Sequence, residues 1–459
     1  MKQPSVAAAS RARPTSARAE NGSPLAVQDS SIKLTSVART RGLRLGHANR
    51  SMRTDTRNLS LYLSARLAGT VGIQVQSVAI AWEVYARTGE ELDLAWVGLA
   101  QFLPLALLSL WAGNLADRFD RRLILTVCRG VYAVGSLTLA YFSLHPEWGL
   151  APIFSVLVLL GATRAFAAPA GWALLPWLVG DARLPRAIAM SSTTFQLATI
   201  GGPMLGGLLI ALQGPATAYV TAAVLEALAA GFILLLRFTI PERVAPKERG
   251  LALLFSGVRY VWRAKILLGA ISLDLFAVLL GGAVALMPIF ARDILEVGAT
   301  GFGWLRAAPA VGAALVAIVL AYRPIERRAG AWMFGGVAVF GVATIVFGLS
   351  ESFPLSLAAL ALLGAADMVS VVIRQSLVQL WTPDEMRGRV GSVSMIFIGA
   401  SNELGEFESG VTAHWLGTVR AVVLGGMGTL LIVATWTRLF PRLRGVDRLD
   451  APSDRPADP

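Results

Sequence analysis

The chain has 459 residues, 55% of them hydrophobic and only 15% charged, and its mean hydropathy is +0.61. A soluble domain carries about 25% charged residues. Lipid is therefore the solvent for most of this chain, which excludes a soluble enzyme, a disordered chain and a nucleic-acid module. The net charge of +12 fits loops held against anionic lipid.

Residues 1–57 carry eleven Lys/Arg and three acids, are rich in Ser, Ala and Thr, and lack any apolar run. They read as a disordered basic cytoplasmic tail, without the apolar stretch of a secretory signal, and Met52 is a candidate true start. Apolar segments long enough to cross a bilayer then follow near 59–86, 94–116, 122–144, 149–179, 187–212, 215–236, 264–291, 301–322, 330–350, 354–380, 390–413 and 419–438. Residues 187–225 contain no charge and are too many for one span, so Gln213-Gly214-Pro215 is expected to make a turn.

Lys/Arg residues concentrate in alternate connections and in both tails, 33 of the 41 in all, whereas Thr88–Asp93 carries three acids and His145–Trp148 no arginine. By the positive-inside rule both termini are cytoplasmic, which requires an even number of spans. The longest loop, 237–263, separates a six-helix bundle over 58–236 from a second over 264–440, with a cytoplasmic tail at 441–459. Repetition supports the division. Gly98-x5-Pro104 in span 2 recurs as Gly303-x5-Pro309 in span 8, and Gly161 in span 4 as Gly364 in span 10.

Ionisable residues at membrane depth are costly and mark candidate functional positions. Arg66 in span 1 shares a face with Thr70 and Ser77, Arg164 lies in mid-span 4, and Asp274 lies in span 7. Asp367, Ser370 and Arg374 form one polar stripe on span 10, able to pair with other helices or to line a wet cavity. Glu226 stands alone in span 6 and reads as a structural partner or a snorkelling residue. Span 11 holds Ser401-Asn402-Glu403-Leu404-Gly405-Glu406-Phe407-Glu408, with Glu403 and Glu406 on one face. Glu403 lies about 20 Å from the cytoplasmic end of its helix. Two carboxylates on one low-dielectric face cannot both ionise cheaply, which suits a proton carrier. The alternatives are a place near the outer interface or pairing with arginines such as Arg66 and Arg164.

The turn after span 2 reads Gly113-Asn114-Leu115-Ala116-Asp117-Arg118-Phe119-Asp120-Arg121-Arg122. It resembles the signature loop of the major facilitator superfamily, Gly-x-Leu-Ala-Asp-Arg-x-Gly-Arg-Arg, departing from it only at Asp120. That resemblance implies an all-α integral membrane fold of twelve transmembrane helices in two pseudo-symmetric six-helix bundles. It also implies that Gly113, Asp117, Arg118, Arg121 and Arg122 form a cytoplasmic gating loop. Gly202-Pro203-Met204-Leu205-Gly206-Gly207 in span 5 looks like the core of the superfamily's antiporter motif, and Arg164 resembles an arginine linked there to proton coupling. Residues 374–389 are similar to a branch comprising siderophore exporters of the enterobactin-exporter type and macrolide-efflux-like proteins, the transmembrane secretion effectors.

The expectation is a multi-pass protein of a bacterial inner membrane that exports small organic compounds by proton antiport with alternating access. An uptake symporter of the same fold, or a non-transporting receptor, is the alternative. Arg66, Arg164, Asp274, Asp367, Arg374, Glu403 and Glu406 are the candidate coupling and cavity residues. Gly202, Pro203, Gly206 and Gly207 form the candidate packing motif. No catalytic residues, metal or cofactor beyond the proton gradient are expected, since the loops hold no nucleophile or ligand constellation. The partners expected are a small-molecule substrate and membrane lipid, with no nucleic acid, and the protein is expected to act as a monomer.

Overall fold

A computed structural model describes residues 30–172, 174–179, 183–237 and 251–449, with side chains except at 30–55, 110–118, 168, 169, 172, 251–255, 384, 392 and 396. Twelve long helices follow one another along these residues: α1 (Ser30–Thr88), α2 (Glu91–Arg118), α3 (Arg121–Leu144), α4 (Ala151–Trp172), α5 (Leu184–Gln213), α6 (Pro215–Leu234), α7 (Lys265–Leu280), α8 (Gly298–Tyr322), α9 (Ala329–Leu349), α10 (Phe353–Leu380), α11 (Asp384–Leu416) and α12 (Thr418–Leu439). Nine of them are long and apolar enough to cross a membrane among the described residues. The other three are α1, α4 and α11, the helices that carry Arg66, Arg164, Glu403 and Glu406. α4 is apolar over Ala151–Ala167, the part of it described with side chains throughout, and in α1 and α11 intramembrane charge lowers the hydropathy that marks a span.

Residues Asp55–Pro459 form one compact unit, separate from Met1–Thr54. Within the larger unit, packing repeats with an offset of six helices. The pairs α2 with α4, α3 with α6 and α3 with α4 recur as α8 with α10, α9 with α12 and α9 with α10. The two seams between the halves, α5 with α8 and α11 with α2, are related in the same way. The repeated glycines explain why. Gly161 meets the Gln101 carbonyl of α2, and Gly364 meets the Pro309 carbonyl of α8, so each lets two helices of its own half approach. Gly98 lies against Glu406 of α11, and Gly303 against Pro203 and Gly207 of α5, so each lies on a seam between halves. A side chain at Gly161, Gly303 or Gly364 would hold the helices apart, whereas a Cβ at Gly98 would meet Glu406 at an ordinary 3.5 Å.

Helix ends follow local chemistry. Gly214 closes α5 with φ of 86°, its N–H reaching the Ile210 carbonyl, and Pro215 then occupies the first turn of α6. Asp120, the one departure from the loop signature, is the N-cap of α3, its carboxylate accepting from the Arg122 N–H at 2.8 Å.

The structure differs from the sequence reading in three places. Span 7 was expected to run unbroken over 264–291. Instead α7 ends at Leu280, and the chain continues through Gly281-Gly282, a 3-10 turn (Ala283–Leu286), a short helix (Met287–Ile289) and a π turn (Phe290–Ile294). Paired glycines weaken a helix, and here they sit against Phe340 and Gly405 in a tightly packed interior. Residues 30–57 are helical rather than disordered, their Ala, Leu and Arg being good helix formers, while 1–29 lie outside the described residues. In the central loop, Leu251–Arg263 forms a helix whose Gly257 contacts Arg389 of α11, and 238–250 lie outside the described residues.

Candidate functional site

Among the described residues, the contacts between the two halves run from one end of the helices to about their middle. At the end that bears Gly89, the Tyr85 hydroxyl donates to the Asp293 carboxylate, and Arg292 donates to the Tyr85 carbonyl at 3.2 Å. The Thr418 hydroxyl donates to Glu91 at 3.4 Å, and His414 lies 3.9 Å from Glu90. Glu90, Glu91 and His414 form the one group among the described residues close enough to share a cation, although no local ligand spacing exists in the sequence. Deeper in, Gly207 packs against Ala299 and Gly303 across the α5–α8 seam, and Gly410 against Ala95 across the α11–α2 seam.

At mid-depth the seam becomes polar. Arg164 of α4 donates to Glu403 of α11 at 2.6 Å, an ion pair between halves, with the glutamate side chain 12% exposed and the arginine 50%. Beside it a cavity of about 360 Å³ opens between Gln196 and Thr199 of α5 and Asp367, Asn402 and Glu406 of α10 and α11. The interrupted stretch Gly281-Gly282 and Val284 forms part of its wall. Unwound backbone is tolerated at membrane depth only where protein or a cavity covers it. Gln196 donates to the Ala310 carbonyl at 2.7 Å, tying the halves together at the cavity edge. Arg306 of α8 approaches the Val284 carbonyl at 3.5 Å and the Ser77 hydroxyl of α1 at 3.4 Å. The cations whose fields act on Glu406 are Arg306 and Arg164.

A second polar cluster lies wholly inside the second half. Arg374 pairs with Asp274 at 3.2 Å, their side chains only 3% and 7% exposed. Asp367 and Ser370 share the Arg374 face of α10, and the Nε of Arg374 and the hydroxyl of Ser370 are buried without a hydrogen-bond partner. Such orphaned donors are expensive. Asp367 reaches the cavity wall while Asp274 takes the arginine, so the stripe read from sequence divides between an ion pair and the cavity.

The remaining candidates are distributed differently. The Arg66 guanidinium stacks over the Phe195 ring at 5.2 Å, and neither candidate glutamate is bonded to it. Glu226, isolated in sequence, accepts two bonds from Arg129 of α3 at 2.9 and 3.0 Å. In the packing motif, Gly202 and Gly206 face Gln74 and Val75 of α1, so one side of α5 packs inside its half and Gly207 across the seam. Of the loop residues, Arg121 lies over the Trp177 ring at 4.4 Å, and Arg122 donates to the Leu234 carbonyl at the end of α6. Gly113, Asp117 and Arg118 lie in 110–118, whose side chains are outside those described.

Sequence reasoning missed Arg306 and Arg129. Both were within reach. Arg306 stands between the repeated Gly303 and Pro309, where the first half has Gln101, and a charge inside an apolar span is itself a signal.

The family model described as transmembrane secretion effector matches residues 57–459. Among curated relatives, the enterobactin exporters EntS of Shigella dysenteriae and Escherichia coli are each 29% identical over 381 residues, covering 81% of this chain and 84% of theirs. Among solved structures, a bacterial homologue of the human lysosomal transporter Spinster is 15% identical with a TM-score of 0.69, covering 85% of this chain and 99% of its own. A bacterial homologue of the iron transporter ferroportin is 16% identical with a TM-score of 0.62, covering 86% and 99%. These likenesses are of fold, and the proteins named are transporters, not enzymes.

Proposed function

We propose, from the premise that this chain belongs to the transmembrane secretion effector family of major facilitator transporters, that it exports small organic compounds from the bacterial cytoplasm by proton antiport. The observation that carries this reading is the Arg164–Glu403 pair between halves, set beside Glu406 on the wall of the central cavity. With the arginine-rich loops on the cytoplasmic side of the inner membrane, both termini are cytoplasmic and the conformation described is closed to the outside. Rocking the halves the other way parts Arg164 from Glu403. A carboxylate left without its counter-ion at membrane depth takes up a proton, here from the outside. Return to the present conformation restores the pair and releases the proton inward. A site that must shed a proton to re-form its ion pair thereby links each outward substrate movement to an inward proton.

The substrate class is siderophore-, drug- or metabolite-like, a reading supported by the enterobactin exporters among the relatives. Asp117 and Arg118 act at the cytoplasmic end, in the loop whose Arg121 and Arg122 brace α3 within the first half. The test is transport by purified protein in liposomes with an imposed pH gradient. Glu403→Gln and Glu406→Gln are expected to abolish pH-driven accumulation while downhill exchange continues. If both variants, singly and together, still concentrate substrate at wild-type rates, the proton site lies elsewhere.

A further inference from the structure

A second cavity lies away from the seam. A groove of about 550 Å³ runs along the outer wall of the second half between α8, α9 and α10. Its lining is apolar apart from Arg328 at one end. It opens outward, since Trp332, Val339 and Leu362 on its walls are 56%, 40% and 51% exposed. Small residues make the depression: Gly335 has open space where a side chain would stand, and Gly336 seats α9 against the Ala366 carbonyl of α10.

Arg328 precedes the first turn of α9 with φ of 57°, and its backbone N–H is held by the Asp447 carboxylate at 2.9 Å. Among the described residues no carboxylate lies within ion-pair distance of its guanidinium. Arg323 and Arg327 on the same loop are exposed, with Glu326 the single acid between them. From Arg328 to Val339 the helix rises about 16 Å at 1.5 Å per residue. That length matches one leaflet, half of a hydrocarbon core about 30 Å thick. Trp332, one turn in from the arginine, sits at the depth where tryptophan meets the headgroup boundary.

We propose that this groove is a binding site for an anionic phospholipid, one acyl chain lying along Gly335 and the phosphate meeting Arg328. The charge on the rim and the leaflet-long apolar trough together select this occupant over a neutral lipid. The chain would pack behind α10, opposite the helix face that presents Asp367 and Arg374 to the interior.

Native mass spectrometry of the full-length protein in detergent, titrated with dioleoylphosphatidylglycerol or dioleoylphosphatidylcholine, tests the proposal. Wild type should retain one phosphatidylglycerol about fivefold more tightly than phosphatidylcholine, from one arginine near the surface. Arg328→Asn should erase that preference and keep chain binding. Gly335→Leu, whose Cβ would meet nothing within 4 Å, should lose the first adduct of both lipids while unfolding at the wild-type temperature. Equal retention of the two lipids by wild type, or an undiminished adduct in Gly335→Leu, would overturn the proposal. So would dimers that Gly335→Leu abolishes, since a second copy would then occupy the groove.

Discussion

Gly303→Ala is the most direct probe of how the halves meet. A methyl group at Gly303 would stand 2.5 Å from the Pro203 carbonyl oxygen and 3.2 Å from the Cα atoms of Met204 and Gly207. Ordinary contact begins near 3.4 Å, so α5 and α8 must part by about 0.9 Å. All three neighbours are backbone, which cannot rotate away. Overpacking of this kind costs about 1–3 kcal/mol, and the cost falls only on the conformation in which this seam is closed. The equilibrium should therefore move toward the alternative conformation by a factor of about 5–150. Spin labels at Ala86 and Glu296, exposed residues on opposite halves at the closed end, report the change in a Cys128→Ser background. The distance distribution of the variant should shift to longer separations with the membrane abundance unchanged. Identical distributions in variant and parent would refute the argument that backbone contact at Gly303 holds this end shut.

Arg129→Met should destabilise the protein by about 3–5 kcal/mol, because it strands the Glu226 carboxylate, 1% exposed, without its partner. Thermal unfolding in detergent reads this, and adding Glu226→Leu should recover most of the loss. A form starting at Met52 should insert and transport as the full chain does, measured by membrane abundance and export; a loss of either would give the tail a role. Reporter fusions at Trp148 and Arg327 should give opposite signals for the two sides of the membrane, and matching signals would overturn the orientation.

Hydropathy, loop charge and internal repetition were enough to mark a multi-span membrane protein, and the resemblance of residues 113–122 to the major facilitator signature loop carried the reading as a transporter. Each of those signals is local or periodic, and a membrane leaves few ways to satisfy a chain with these patterns. The repeated Gly98 and Gly303, and Gly161 and Gly364, were visible as a pattern. Their division of labour, one pair lying on the seams between halves and the other packing helices within a half, needed the neighbours that only packing supplies. The same holds for the charges. Glu403, Asp274 and Arg374 were legible as candidates because ionisable groups in lipid are costly. Arg164 joining Glu403 across 239 residues, and Arg374 choosing Asp274 over Asp367, depended on rotations and depths of separate helices that no spacing within one helix encodes. The break at Gly281-Gly282 was likewise decided in three dimensions. Two glycines in an apolar run allow either a straight helix or an interrupted one, and close packing against Phe340 and Gly405 beside a cavity is the context in which interruption occurs.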